Sequence, residues 1–442
     1  MEPTTSAATR RAVTLITGLC WVIVVFDGYD LIVYGTVLPH LLKQPGWHLG
    51  KSGAGLLGSL AFAGMLVGAV FAGTLADRFG RRRTILVCTA WFSVFTAICA
   101  LAPNPETFGL LRFIGGVGLG GLVPSANALA AEYVGTRSRS VVSTLMMSGV
   151  PVGGVLAAVV GIVVLPRYGW RAMFAVALLG VLVIVPICAK WLPESPSWLR
   201  IHGRADEAAA LERRLGILPT GEATMATPGR RQPLRSLLRP PFVLATVLFS
   251  LATVATLFAW YGLATWLPQL MRQNGFDLGS ALTFLLALSL GAVLGSLVTA
   301  YVGTRIGPLR TAALAAAAAA VGLGTLLTHP STALAYVALV LAGVGTHGTQ
   351  CLIIAAVANH YPAQLRGTAL GFTLGFGRIG AVLAPQVGGW LLAAGFGVNA
   401  SFLAFGVAAA VAALLLAVFP RRMQHAHATA VTTRLAAEGA TA

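Results

Sequence analysis

The chain has 442 residues, of which 57% are hydrophobic and only 10% charged, with a mean hydropathy of +0.82. Soluble domains carry roughly 25% charged residues, so this composition excludes a soluble enzyme, a disordered chain and a secreted disulfide scaffold. The net charge of +17 would suit nucleic acid, but its placement argues for a membrane protein with basic loops on one side.

A bilayer-spanning helix needs about 20 apolar residues. Apolar segments fall at 13–38, 53–76, 84–102, 109–133, 140–165, 171–193, 241–268, 279–303, 311–328, 333–359, 367–395 and 400–419. They predict an all-α membrane protein of twelve transmembrane helices. Arg10-Arg11 ahead of the first segment resembles a signal-peptide start, but no small-residue cleavage site follows, so the segment reads as an uncleaved helix. Five basic residues fall in loops of one side (Lys43, Lys51, Arg167, Arg171, Arg272), two inside helices (Arg112, Arg378), and the remaining twenty-three of thirty on the other side. The positive-inside bias makes that richer side cytoplasmic and places both termini there. Cys20, Cys88, Cys99, Cys188 and Cys351 all sit in apolar stretches without a CxxC, so neither a metal site nor a disulfide framework is expected.

The longest polar stretch, 194–240, divides the chain. The expected organisation is a six-helix bundle over 1–193, a cytoplasmic central loop over 194–240, a second six-helix bundle over 241–420 and a flexible cytoplasmic tail over 421–442. Within the loop, 206–215 reads as a short amphipathic helix and 220–233, rich in Gly, Pro, Thr and Arg, as a flexible linker. The two bundles are copies of each other. A shift of 227 aligns Gly64, Gly68, Arg78, Gly80, Arg83 and Thr84 with Gly291, Gly295, Arg305, Gly307, Arg310 and Thr311. A shift of 228 matches Gly115, Gly120 and Tyr133 with Gly343, Gly348 and Tyr361. Parallel halves imply a pseudo-two-fold along the membrane normal and a site between them.

Between the second and third segments stands Gly73-Thr74-Leu75-Ala76-Asp77-Arg78-Phe79-Gly80-Arg81-Arg82-Arg83. Gly73 would permit close helix packing and Gly80 a tight turn. Asp77 beside Arg78, Arg81 and Arg82 suits a breakable charge network holding the halves together as a cytoplasmic gate. The fourth segment opens Arg112-Phe113-Ile114-Gly115-Gly116-Val117-Gly118-Leu119-Gly120-Gly121. Gly116, Gly118 and Gly121 fit a dinucleotide fingerprint, but no strand precedes them and the run is apolar, so it reads as a close helix interface. Both stretches closely resemble signature motifs of the major facilitator superfamily, and Pro193-Glu194-Ser195-Pro196 is similar to the motif its sugar and organic-ion members carry there.

In the first segment, Asp27-Gly28-Tyr29-Asp30-Leu31-Ile32-Val33-Tyr34-Gly35-Thr36-Val37-Leu38-Pro39 resembles the first helix of the aromatic acid:proton symporters, benzoate-type members above all. Tyr261 to Pro268 and Gly377-Arg378-Ile379-Gly380 extend the likeness. The resemblance implies a proton-coupled importer of benzoate or hydroxybenzoates in a bacterial cytoplasmic membrane, working as a monomer, without a cofactor and without catalysis. The residues agree. Asp27 and Asp30 share a helix face, and charges at membrane depth are expensive and mark function. Either can carry the proton, Asp27 being the deeper, with Arg112 and Glu132 as further members of the coupling network. Glu132 is also placed for a gate contact with Arg137 or Arg139.

An aromatic carboxylate needs a cation for its charge and flat walls for its ring. Arg378 is the cation for it, or else a partner of Asp27 or Asp30. Tyr34, Trp260, Tyr261 and Trp266 are the substrate-binding aromatics, with Tyr29 and Phe372 further candidates, although Trp266 also suits an interfacial anchor. His347 and Gln350 in the tenth segment, and Asn127 in the fourth, are polar groups at depth that would line the cavity. The alternative reading is a proton-driven porter for another organic acid, a sugar, an organic cation or a drug. A membrane-embedded enzyme lacks any HExxH or GxSxG, and a transport-like sensor lacks an added signalling domain.

Overall fold

The computed structural model describes residues 7–134, 139–217 and 234–419, and their regular structure is entirely helical. In lipid every backbone N–H must bond within its own segment, which leaves helices as the solution for such apolar runs. Six helices form the first half and its link: α1 (Ala7–Leu41), α2 (Lys51–Phe79), α3 (Arg81–Cys99), α4 (Pro105–Glu132), α5 (Arg139–Ala175) and α6 (Val185–Trp191). Two short helices follow, α7 (Pro196–Ile201) and α8 (Ala205–Leu215). The second half holds α9 (Val243–Gln273), α10 (Leu278–Ile306), α11 (Pro308–Leu326), α12 (Thr332–His360), α13 (Ala363–Ala393) and α14 (Gly397–Ala417). The linker 220–233, the tail 421–442 and Arg137 lie outside the described residues.

Eleven of these helices are long and apolar enough to cross a membrane. The expected sixth crossing, 171–193, differs from a simple helix. The backbone turns at Gly169 (φ 71°, ψ −177°) inside α5, and a π-helical turn over Gly180–Ile184 precedes the short α6. Pro186 explains part of this, since it has no N–H to return to the carbonyl four residues back.

The repeat is visible in packing. In the first half α4 lies between α2 and α3, and α1 lies on α5; in the second, α12 lies between α10 and α11, and α9 lies on α13. A side chain at Gly64 or Gly68 would run into the backbone of Phe113 or Val117, and 227 residues on, Gly291 and Gly295 face Val340 and Val344 in the same way. Gly116 lies against Ala61, and Gly343 against Leu288. The equivalent of Gly343 is therefore Gly116, and the shift at the start of α4 and α12 is 227 and not 228. Small residues let these backbones approach, which is how helices associate in lipid.

The halves meet through α2 with α13, α5 with α10 and α1 with α9. The contact is tight at one face only. Near the α2 start, Gly55 abuts Pro385 and Gly389 of α13, the Ser59 hydroxyl donates to the Val382 carbonyl (2.6 Å), and Lys51 Nζ to the Leu392 carbonyl (3.3 Å). At the other ends of the same helices, Gly73, Gly367, Gly371 and Gly375 have open space where a side chain would go. The molecule is thus closed at the α2 start and open at the arginine-rich face. This opening is also why Gly73 makes none of the close packing expected of it.

Candidate functional site

The third and fourth turns before the end of α1 carry the two aspartates, and the structure gives them different surroundings. Gly28 between them lets α1 lie directly on the Val150 backbone of α5, so both carboxylates are held deep in the first half. Asp30 is clamped. Arg112 Nη1 reaches both its carboxylate oxygens at 3.1 and 3.2 Å, Arg112 Nη2 its own backbone carbonyl at 3.3 Å, and the Thr96 hydroxyl donates to Oδ1 at 2.5 Å. The Phe174 ring lies 5.8 Å from the Arg112 guanidinium carbon. Charge and hydrogen bonds satisfy the Asp30 carboxylate, while Arg112 Nε is left buried without a partner.

Asp27 has none of this. It is 0% exposed, and neither carboxylate oxygen has a hydrogen-bond partner. The charges it feels are those of Arg378, from α13 in the opposite half, and of Asp30. Arg378 in turn feels the charges of Tyr261 and Asp27 without bonding the Asp27 carboxylate. The sequence favoured Asp27 only as the deeper of the two; the structure separates them into one fixed by an arginine and one left without a bonding partner.

Around this interface the second half adds aromatic and polar groups. The Tyr261 ring packs 4.5 Å from that of Phe62, joining α9 to α2. Trp260 lies against His347 of α12 (ring centroids 5.4 Å), and His347 Nε2 bonds the Met147 carbonyl of α5 at 3.1 Å, another contact between halves. Trp260 Nε1, Gln350 Oε1 and Asn127 Oδ1 are buried without a partner. Native proteins seldom leave buried polar atoms unmatched, so each of these three, like the Asp27 carboxylate, has bonding capacity that another molecule could meet.

Other sequence candidates lie elsewhere. The Tyr34 hydroxyl donates to the Ala54 carbonyl at 2.6 Å, and Trp266 Nε1 to the Pro385 carbonyl at 2.9 Å. Both belong to the closed face, and Trp266 is fully buried instead of anchoring at the lipid surface. The Tyr29 hydroxyl bonds the Met173 carbonyl (2.8 Å), and Phe372 stacks on Phe376. Glu132 is twenty residues past Arg112 on α4, about 30 Å along the helix. It pairs with Arg81 and accepts from the Ser195 hydroxyl at 2.5 Å, so the structure puts it in the arginine-rich loop and away from Asp27.

That loop is organised by a residue the sequence reading quoted without a role. The Glu194 carboxylate accepts from the backbone N–H of Arg82 and of Ser195, both at 2.9 Å, at the start of α3. Anions are favoured at a helix N-terminus. Gly80 (φ 92°) has a backbone conformation that favours glycine, and a side chain there would also have to displace that carboxylate. The Tyr133 hydroxyl donates to the Glu194 carbonyl at 2.5 Å, Arg82 bonds the Ala189 carbonyl, and Trp198 Nε1 bonds the Asp77 carbonyl at 2.9 Å. Arg78 lies over the ring of its neighbour Phe79. These contacts tie α2, α3 and α4 to the segment after α6. They join parts of the first half to each other, and the expected network between the two halves is not among them. Thr96 was missed too, and nothing in a run of apolar residues singles it out.

A sequence profile of the Major Facilitator Superfamily matches residues 20–376 and 250–437. The chain belongs to that superfamily. Its relatives place it among the superfamily's aromatic acid transporters. It is 49% identical to a gentisate transporter of Corynebacterium glutamicum, over 93% of this chain and 88% of that one. It is 33% identical to a benzoate transport protein of Acinetobacter baylyi, over 88% of this chain and 86% of the other. The inward-open structure of the xylose transporter from E. coli superposes with a TM-score of 0.73 at 18% identity, covering 92% of this facilitator and 96% of that chain, which is a likeness of fold. This facilitator is accordingly a multi-pass membrane protein with the twelve-helix architecture of the superfamily.

Proposed function

We propose that the protein imports aromatic carboxylates of the benzoate or hydroxybenzoate type together with protons, across a bacterial cytoplasmic membrane. The observation that carries this reading is Asp27, fully buried with both oxygens unbonded and within the field of Arg378 from the other half. An unpaired charge is costly in such a place. Arg378 can be balanced by the Asp27 carboxylate or by a substrate carboxylate. When the substrate anion takes Arg378, Asp27 loses its counter-charge and takes a proton. Anion and proton therefore enter together, and one of each makes an electroneutral cycle that needs no cofactor. Release of substrate to the cytoplasm returns Arg378 to Asp27, and the proton leaves.

Alternating access follows from the two faces. The closed contact of α2 with α13 bars one side, and the same two helices leave open space at Gly73, Gly367, Gly371 and Gly375 on the arginine-rich side, where access would lie. The positive-inside bias makes that open side cytoplasmic, with both termini on it, so this is the inward-facing state of a monomer. The similarity to gentisate and benzoate carriers supports the substrate class.

The test is uptake of labelled benzoate and hydroxybenzoates into proteoliposomes, with and without an imposed proton gradient. Gradient-driven accumulation is expected, with Arg378→Ala abolishing it. Uptake that ignores the gradient would overturn proton coupling. Transport of sugars or organic cations, with benzoates ignored, would overturn the substrate class.

A further inference from the structure

The shift of 227 carries α2 onto α10 and α5 onto α13, so the contact of α2 with α13 and that of α10 with α5 are two copies of one seam between the halves. The copies are not alike. Along α2 and α13 the halves touch at Lys51, Gly55 and Ser59, and further along Gly73, Gly367, Gly371 and Gly375 have open space. Along α5 the contact continues. Gly161 lies against Leu282 of α10, Gly154 against Ser289 of α10, and the Met147 carbonyl meets His347 Nε2 of α12 at 3.1 Å. A carbonyl only accepts, so that ring nitrogen carries the hydrogen and donates it. Met147, Gly154 and Gly161 stand seven apart, which keeps them on one face of α5, over about 21 Å of its length. By the shift, Met147 corresponds to Leu374, between Gly371 and Gly375. At the same depth, then, α5 is hydrogen-bonded to the opposite half, whereas the glycines on either side of Leu374 have open space.

A swing that parted both seams equally would strip the buried His347 N–H of its acceptor, which is costly at this depth. A swing about α5 keeps that bond and needs only the α2–α13 contacts to change. We propose that the seam of α5 with α10 and α12 is a hinge that stays closed through the transport cycle, so that the halves part on the side of α2 and α13 and substrate reaches the cytoplasm between those two helices. This rests on the alternating access of the reading above and adds an axis and an exit side that the reading does not require.

Cross-links across the two seams separate a hinge from a gate. A Cβ on Gly154 lies 3.4 Å from that of Ser289, and on the other seam a Cβ on Gly58 lies 3.0 Å from that of Pro385. Both are close to the spacing a disulfide spans. The double variants Gly154→Cys with Ser289→Cys and Gly58→Cys with Pro385→Cys are reconstituted in proteoliposomes. Gradient-driven benzoate uptake is then measured before oxidation, after it, and after reduction. The α5 cross-link should leave uptake at the level of its own reduced form. The α2–α13 cross-link should abolish uptake until reductant restores it. Uptake that is lost on oxidising the Gly154–Ser289 pair and regained on reduction would overturn the hinge. A second measurement needs neither cross-link nor substrate. Spin labels at the exposed Val141 and Tyr301, near the cytoplasmic ends of α5 and α10, should give one distance with and without a proton gradient. Labels at Gly73 and Gly371 should give two. Two distances between Val141 and Tyr301, or a single unchanging one between Gly73 and Gly371, would also overturn the proposal. A protein that moves no benzoate in any form fails the transport reading instead, and the label distances still decide the hinge.

Discussion

In the first half Asp30, Thr96 and Arg112 form a polar triad at the centre of the bundle. The same shift of 227 that superimposes the glycine contacts puts Leu257, Leu323 and Leu339 at those three places in the second half. One backbone plan is therefore held by a charged centre in one copy and an apolar centre in the other. The gate loop shows the same contrast. Gly80 and Gly307 both have φ of 92°, but only Gly80 has a carboxylate packed on it, and Thr304 stands where Asp77 does. Packing of six helices does not require these charges. Their presence in one copy would separate the duties under the proposed function, with proton coupling in the first half and the Arg378 site for the substrate in the second.

The largest effect is expected where this division is functional. Val254 is the counterpart of Asp27, so the second half packs without a carboxyl there. With one proton per anion, a gradient of one pH unit stores about 1.4 kcal/mol and supports roughly tenfold accumulation. Asp27→Asn should abolish that accumulation while leaving exchange of internal for external substrate. Accumulation at the unaltered level would place the proton elsewhere.

The triad offers a stability test of the same comparison. Arg112→Leu alone strands the Asp30 carboxylate and should cost about 3–5 kcal/mol, read as a lower unfolding temperature in detergent. The triple change Asp30→Leu, Thr96→Leu and Arg112→Leu copies the second half into the first and should recover most of that loss. A triple variant as unstable as the single one would mean that the two centres are not equivalent in shape.

Much of this was legible in the sequence because it follows from lipid. Segment length, glycine spacing and basic-loop asymmetry gave the helices, the duplication and the loop that divides it. The irregular sixth crossing was not, since its hydropathy is that of a helix and only Gly169, Gly180 and Pro186 hint at the break. Asp27 and Asp30 were both visible as intramembrane acids. Their different roles depend on Arg112 and Thr96, distant in sequence, and on Arg378 from the other half. Tyr34 and Trp266 read as ring-binding aromatics by type, yet their polar atoms are spent on backbone carbonyls of the closed face. Composition cannot tell a residue lining a site from one sealing an entrance when both are buried and aromatic.

A smaller effect separates the two gate glycines. Alanine at either position meets the strain of a positive φ with ψ near 150°, a region essentially restricted to glycine, at about 1–3 kcal/mol. At Gly80 it must also displace Glu194 from the backbone N–H groups of Arg82 and Ser195. Gly80→Ala should therefore lower thermal stability and transport rate more than Gly307→Ala, and equal losses would show that Glu194 is free to move.

The smallest expected difference lies at the helix starts on the closed face. Gly50 precedes α2 and offers no side-chain cap, whereas its counterpart Asp277 caps α10, accepting from the Ser280 N–H at 3.2 Å. Hydrogen bonds from the Ser280 side chain and backbone hold the Asp277 carboxyl below its ordinary range. A carboxylate with a depressed folded pKa contributes stability above its unfolded pKa and loses it as the pH falls through the folded value. Amide exchange at Ser280 should thus be slowed at neutral pH and released in acid once the intrinsic rate is allowed for, while exchange at Gly53, three residues after the uncapped Gly50, should follow the intrinsic rate throughout. Asp277→Ala should make the start of α10 behave like that of α2. If protection at Ser280 persisted unchanged in acid, the cap would not be ionic, and this difference between the halves would be one of geometry alone.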